Sequence, residues 1–439
     1  MQSLAQPHGP TAYLAGVGGC GMRGIAGFLL AKGWQVFGAD RTPLNTDDPL
    51  ILLGLESLTE GEGPPSCSLA IRSAAVPKME KGFQAAVKLG AKPLLYAEFL
   101  GEISRQRPVL AVAGSHGKTT CTAWIAWGLR QAEIPVGYLI GAEVPQLGGS
   151  SDWGEESFPL VMESCEYARS FHFLNPAKVA LINVDAEHPD TYPGGYPEVL
   201  QAFEEFLGKT IADGVIWSGL EAPPLAPSAP QARWISAQEI PASWRPGLAG
   251  EHNRRNAALV AEVLGGFGLT ESQVKFAIEN FRGASRRLEV VSGAEQAAGP
   301  LVVSDYAHHP VEVAATLQAA REKWPNRRLV TVFQPHQAQR FHAYRNQFAP
   351  SLDEADALLL LEIYRARDPQ ELKASIAELV PELRQRHPKK PLALVPDFDA
   401  GRQQLAAWCL PNDLILCLGA GTVDEFARSL CGHFTLAGE

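Results

Sequence analysis

Cysteine is scarce. The 439 residues hold seven, at Cys20, Cys67, Cys121, Cys165, Cys409, Cys417 and Cys431, with no CxxC pair. That excludes a disulfide framework, argues against structural zinc and suits reduced thiols in a cytoplasm. Long apolar runs are also missing, so no bilayer-spanning segment is expected. The opening MQSLAQPHGPTAYLAGVGG has no basic region followed by an apolar core, so no secretory signal is expected. Basic excess is absent too, with a net charge of -10. Nucleic acid and acidic membranes are therefore poor candidates for partners, although a local pocket can still hold an anion. Hydrophobic content of 46% and charged content of 20% describe a soluble globular chain. Its length points to about three domains.

Apolar runs alternate with helical pattern throughout, which implies α/β units on mostly parallel sheets. Residues 1–107 read as a Rossmann-like unit: strand, glycine turn, helix, then a strand ending at Asp40. RQRP at 105–108 breaks the pattern as a linker. Residues 108–283 form a P-loop unit, and its Pro-rich EAPPLAPSAP at 221–230 reads as a surface loop. Residues 284–439 form a third Rossmann-like unit, with five strand-like runs from PLVVSDYAHHP to DLILCLGAG.

Gly16, Gly18, Gly19 and Gly21 make a G-x-G-G-x-G turn between strand and helix. Such a turn lets backbone approach a diphosphate at a helix N-terminus. Asp40 stands where an acid meets a ribose in dinucleotide folds. NAD and a nucleotide-sugar both fit this loop. A second loop, VAGSHGKTT, also joins strand to helix. Gly114, Ser115, His116, Gly117 and Thr120 can cradle ATP phosphates, Lys118 can neutralise them, and Thr119 can offer a hydroxyl to Mg²⁺. Val112 replaces the first glycine of the general G-x-x-x-x-G-K-[ST] pattern. A dehydrogenase needs no P-loop. An ATP-using enzyme with a nucleotide-linked substrate needs both loops.

At this point the chain resembles the Mur ligase family. GVGGCGM, AGSHGKTT, ESCEYARSFHFLNP, NVDAEHPDTY, GEHNRRNAA, FRGASRR, DYAHHPVE, FQPH and LGAGTVDE occur in the family's order from residue 11 to about 428. The resemblance implies an ATP- and Mg²⁺-dependent cytoplasmic ligase that makes peptidoglycan precursors. It would activate the carboxylate of UDP-N-acetylmuramic acid as an acyl phosphate and couple it to L-alanine. The third unit would close over the site. A monomer or weak homodimer is expected.

The resemblance also implies residue roles. Lys118, Glu166 and His188 would be catalytic, with Thr119, Glu166 and His188 as metal ligands. A histidine ligand to Mg²⁺ rests on the resemblance, since Mg²⁺ prefers oxygen. Asn253, Asn256, Arg287 and Asp305 would contact ATP; capping by Asn253 is the structural alternative. Gly16, Gly18, Gly19, Gly21, Met22, Asp40 and Ser73 would hold the UDP-sugar. Tyr306, His308, His336 and Arg340 would hold the amino acid; an arginine suits a carboxylate bidentately.

Three departures stand out. Glu187 replaces the Asp usual before the family histidine, Gln337 replaces an Arg after FQPH, and Ser304 replaces the first of two acids. Gln337 and Ser304 bear on amino-acid preference among L-alanine, glycine and L-serine; the role of Glu187 stays open. Two other readings remain open on sequence: a ligase that attaches a recycled tripeptide to the same nucleotide-sugar, and a non-catalytic nucleotide-binding scaffold.

Overall fold

The computed structural model describes residues 9–223, 225, 232–293, 299–366, 368 and 372–431. Most of the Pro-rich stretch at 221–230, and residues 367 and 369–371, lie outside the described residues. The chain divides into two compact units. One comprises residues 1–186, 196–245 and 256–281; the other comprises 187–195, 246–255 and 282–439.

The first unit carries two sheets. The first sheet is built from β1 (Thr11–Ala15), β2 (Gln35–Asp40), β3 (Glu56–Thr59), β4 (Leu69–Arg72) and β5 (Lys92–Leu95). Its order is β3-β2-β1-β4-β5 and every pair is parallel. Strand order reverses between β1 and β4, which is where open α/β sheets leave a crevice at their carboxyl ends. The register aligns Ala15 with Ala39 and with Arg72. The turns after β1, β2 and β4 therefore emerge side by side.

The second sheet holds β6 (Val109–Ala113), β7 (Gly137–Leu139), β8 (Ser151–Asp152), β9 (Leu160–Ser164), β10 (Lys178–Asn183), β11 (Val215–Glu221) and β12 (Arg233–Ser236). Its order is β12-β11-β10-β6-β9-β7-β8, parallel except for β7 with β8. β6 lies between β9 and β10, so the three loops carrying chemistry leave the sheet together. The helix Lys118–Gln131 that follows β6 is buried nearly all round, as an apolar helix inside a large core must be. Trp124 anchors it: fully buried, it donates from Nε1 to the Ala277 carbonyl at 2.8 Å and stacks on Phe281 at 5.4 Å.

The RQRP segment is tied down rather than loose. Helix Tyr96–Gln106 ends there, and Arg107 is buried. Its guanidinium donates to the carbonyls of Trp153, Glu155 and Phe158 at 2.7, 2.8 and 2.5 Å. Trp153 also packs on Phe28 at 4.5 Å and lies under Lys32. This staples the helix Cys20–Ala31 of the first sheet to the second sheet.

The second unit carries β13 (Glu289–Ser292), β14 (Leu301–Asp305), β15 (Arg328–Phe333), β16 (Ala357–Leu361), β17 (Leu392–Val395) and β18 (Asp413–Leu418). Their order is β13-β14-β18-β15-β16-β17, parallel except for β13 with β14. That is one strand more than the five apolar runs suggest. β13 is only half-buried at every position and carries no apolar run of its own. Apolar side chains of β14, β15, β16 and β18 fill both faces of this sheet, as expected where helices cover both.

Candidate active site

The two glycine loops form as their spacing requires. Gly16 has φ +87°, and a Cβ there would sit 2.9 Å from Val76 Cγ2 and 3.2 Å from Ser73 Cβ. The loop thus presses against the turn after β4, with the Ser73 N–H donating to the Ala15 carbonyl at 3.1 Å. Asp40 accepts from the Gly18 N–H at 2.9 Å, so the acid at the end of β2 braces the loop. Gly21 leaves room for Tyr96, whose ring would lie 2.9 Å from a Cβ. Gly19 is the N-cap of the following helix. The Met22 side chain points into the core, at 3% exposure.

The second loop turns through Gly114 at φ +154° and Gly117 at φ +82°. Val112 is an ordinary buried strand residue, so the loop proper begins two residues later than in the general pattern. At Gly114 a Cβ would meet Ile182 at 3.0 Å and the Asn183 carbonyl at 3.2 Å. At Gly117 it would meet Asn256 Oδ1 at 3.1 Å. Asn256 is buried and seals this side of the loop.

Lys118 is held at four points. Its Nζ donates to the Gly114 and Ser115 carbonyls at 2.6 and 3.0 Å and to Glu166 Oε1 and Oε2 at 3.1 and 2.8 Å. Glu166 follows β9 and is fully buried. Burial pushes the lysine pKa down, but the charge and hydrogen bond of Glu166, with Cys165 and Glu163 nearby, together outweigh it and raise the pKa above the ordinary lysine value. Thr119 and Thr120 are buried on the first turn of the helix.

Sequence reasoning missed two residues of this loop, both at the end of β10. Asn183 Oδ1 accepts from the His116 N–H at 3.0 Å. Asp185 exchanges backbone bonds with the Ser115 hydroxyl, N–H to Oγ at 2.8 Å and Oγ to carbonyl at 3.1 Å, and its carboxylate lies 3.4 Å from the His116 ring. Their strand-end position beside β6 was the available signal.

The second unit gathers the remaining residues. His188 sits at φ +52° on a tight turn, its carbonyl accepting from the Thr191 and Tyr192 N–H groups at 2.8 Å. Asn253 lies on the first turn of helix Glu251–Gly266, and its Nδ2 donates to the Ala249 carbonyl at 2.7 Å. Asp305 ends β14 and is buried; its carboxylate accepts from the Leu288 and Ala307 N–H groups, both at 2.8 Å. It fastens the SRR turn to the sheet, and burial raises its pKa. Arg286, beside Arg287, is held in place. It donates to the Gly419 carbonyl at 2.7 Å and lies over the Tyr306 ring, with Arg287 on the same ring. Ser304 is fully buried and donates to Asp424 Oδ1 at 2.7 Å.

Tyr306, His308, His336 and Arg340 converge. The His308 ring meets Tyr306 edge-on at 5.3 Å and His336 at 5.6 Å, and its Nδ1 lies 3.0 Å from the Tyr306 carbonyl. Burial, then the Arg340 charge, hold His308 down at about 4, so the ring is neutral near pH 7. Arg340 is buried, with Nη1 3.3 Å from both His336 Nδ1 and Gln337 Oε1.

A strand-end glycine loop with its lysine on a buried glutamate, beside a Rossmann-like sheet, defines a P-loop enzyme of mostly parallel α/β build. The family comparisons make that class specific, and the chain belongs to the Mur ligase family, whose members are ATP-dependent amide-forming ligases. Residues 11–108 match the Mur ligase family catalytic domain, and residues 286–421 match the Mur ligase glutamate ligase domain. A UDP-N-acetylmuramate–L-alanine ligase of Chloroflexus aggregans is 32% identical over 94% of this chain and 96% of its own length. Among solved structures, the UDP-N-acetylmuramate–alanine ligase of Thermotoga maritima superposes with a TM-score of 0.78 at 22% identity, covering 95% of this chain and 97% of that one. A murein peptide ligase of Psychrobacter arcticus gives 0.71 at 22%, covering 96% and 98%. These two show the shared fold.

Proposed function

We propose that the chain joins L-alanine to the carboxylate of UDP-N-acetylmuramic acid at the expense of ATP. The observation that carries this reading is Lys118 locked on the buried Glu166 at the joined ends of β6 and β9. The 32% identity to a ligase of that name supplies the substrate pair. A carboxylate is a poor electrophile. Transfer of the γ-phosphoryl group to one of its oxygens makes an acyl phosphate, the amine attacks the carbonyl, and phosphate leaves with that oxygen. The protein's part is to place anions and offset their charge.

The domain limits 1–107, 108–283 and 284–439 then carry the UDP-sugar, ATP and the amino acid in turn. The first glycine loop with Asp40 and Ser73 would hold the nucleotide-sugar. Gly114 to Thr120, Asn253, Asn256 and Arg287 would hold ATP. Asp305, with both oxygens on backbone N–H groups, would shape the ATP site by fixing the SRR turn. Tyr306, His308, His336 and Arg340 would hold the amino acid. The Thr119 hydroxyl and the Glu166 carboxylate are hard oxygen donors of the kind Mg²⁺ takes. With His188 they would hold it, and the ion would supply positive charge at the phosphates. Among the described residues no helix is long and apolar enough to cross a membrane, in keeping with small-molecule substrates. We assign the chain to the cytoplasm, as a monomer or weak dimer.

The test is phosphate release with ATP, Mg²⁺, UDP-N-acetylmuramic acid and single amino acids. L-alanine should support release, and Lys118→Ala should abolish it. Release that ignores the acceptor, or survives Lys118→Ala, would overturn the reading.

A further inference from the structure

The chain leaves Glu166 through a strained turn. Ala168 stands at φ +51° and Arg169 at φ +53°, and neither is a glycine or an asparagine, the residues that enter the left-handed region readily. Such strain persists only where the surroundings enforce it, and it gathers at functional sites. The turn closes on the end of β9. The Arg169 N–H donates to the Glu166 carbonyl at 2.9 Å, and the Phe171 N–H donates to the Cys165 carbonyl at 3.0 Å.

Neighbours within the first unit grip this turn from two sides. On one side lies helix Tyr196–Leu207. It takes the Arg169 guanidinium, with Nη2 donating to Glu198 Oε1 at 3.1 Å and Nη1 to Glu205 Oε2 at 3.4 Å. It also receives the buried Phe171 ring, stacked on Phe206 at 4.6 Å and edge-on to Phe203 at 5.1 Å. On the other side lies helix Tyr96–Gln106. A Cβ at Gly101 would sit 2.6 Å from the Phe173 carbonyl oxygen, so helix and turn touch backbone to backbone. The Asn175 N–H donates to Ser104 Oγ of the same helix at 3.1 Å.

We propose that this turn is a sprung brace that holds the Glu166 carboxylate on Lys118, with Arg169 as its positioning residue. The inference rests on the phosphate-loop reading of Lys118 given above. Glu166 directly precedes the turn, so the course of the turn sets where its carboxylate points. The Phe171 stack anchors the far end, and the Arg169 ion pairs hold the strained residues themselves. Without those pairs Ala168 and residue 169 gain by returning to ordinary φ values. The backbone after Glu166 then swings, and its Oε2 leaves the 2.8 Å contact with Lys118 Nζ. The lysine keeps its bonds to the Gly114 and Ser115 carbonyls but loses the carboxylate that directs it.

The test compares Arg169→Ala with Arg169→Gly. Both delete the guanidinium, but only alanine keeps the left-handed penalty. Arg169→Ala should lower kcat about 3- to 10-fold, the range that part-exposed ion pairs can supply. Arg169→Gly should recover at least about half of that loss, and so should Ala168→Gly added to Arg169→Ala. A merely structural role for the ion pairs would leave alanine and glycine equal, or glycine worse. That order, or a wild-type kcat in Arg169→Ala, overturns the proposal. A second readout needs no turnover. Trace acetylation of the ATP-free protein with acetic anhydride, read by mass spectrometry, should label Lys118 about 3- to 10-fold faster in Arg169→Ala than in wild type, with Arg169→Gly between them. Equal labelling overturns the brace. If Arg169→Ala does not fold, Glu198→Gln with Glu205→Gln removes the same ion pairs from the helix side. It must raise Lys118 labelling likewise, and failure to do so overturns the proposal. Labelling in the expected order without any acceptor-dependent turnover in the wild type would support the brace and sink the ligase reading instead.

Discussion

Replacing Lys118 by Met should separate stability from catalysis at the phosphate loop. The lysine side chain is 14% exposed and Glu166 is fully buried. Removing one partner of a buried ion pair costs about 3–5 kcal/mol, because the other charge stays behind. Lys118→Met should therefore lower the melting temperature of the first unit by several degrees while abolishing turnover. Adding Glu166→Gln removes the stranded charge. The double variant should regain at least about 2 kcal/mol of that loss, since apolar or neutral replacements of buried pairs are often near neutral. It should stay inactive. Thermal unfolding of wild type, both single variants and the double closes the cycle, with ATP-dependent phosphate release on each. If Lys118→Met melts with the wild type, or if the double variant is less stable than the single, the buried pair does not hold the loop as described.

Further outcomes can be checked separately. Gly117→Ala forces a side chain into the left-handed region and against Asn256 Oδ1. It should raise the KM for ATP at least about tenfold, with a strain of about 1–2 kcal/mol; an unchanged KM would detach Asn256 from the nucleotide. Arg107→Ala leaves three partly buried backbone carbonyls without their donor and should cost about 1–3 kcal/mol in unfolding, while kcat stays within about twofold. His308 is held at about 4 against an ordinary 6.5. The unfolded chain therefore binds the extra proton between those values, and stability falls as pH drops from 6.5 toward 4, by at most about 3 kcal/mol from this ring. His308→Gln should flatten that acid limb in urea unfolding measured across pH.

The chemistry-bearing loops were legible because they are local. Glycines that must take positive φ, a lysine one residue beyond, and an apolar strand before them need no tertiary information. Glu166 was legible through the motif around it. Asn183 and Asp185 were not singled out, because their role depends on β10 lying beside β6, and nothing in NVDAEH says so. Three minor strands escaped for a related reason. β8 is two residues long, β7 three, and β13 is half-buried throughout; such short strands carry no clear period of two. Arg107 looked like part of a linker because charged residues beside a proline usually are. Only the fold reveals the three carbonyls that hold it. Arg286 was not singled out, since its carbonyl partners lie more than 130 residues away. Glu187 was visible as a departure, but its contact with Arg340 joins residues distant in sequence.

The activation of a carboxylate can be followed atom by atom. UDP-N-acetylmuramic acid labelled with ¹⁸O in its carboxylate, turned over with ATP, Mg²⁺ and L-alanine, should deliver one labelled oxygen to each phosphate released. Phosphate carrying only solvent or ATP oxygen would mean that ATP is hydrolysed without an acyl phosphate, and would contradict the ligase mechanism.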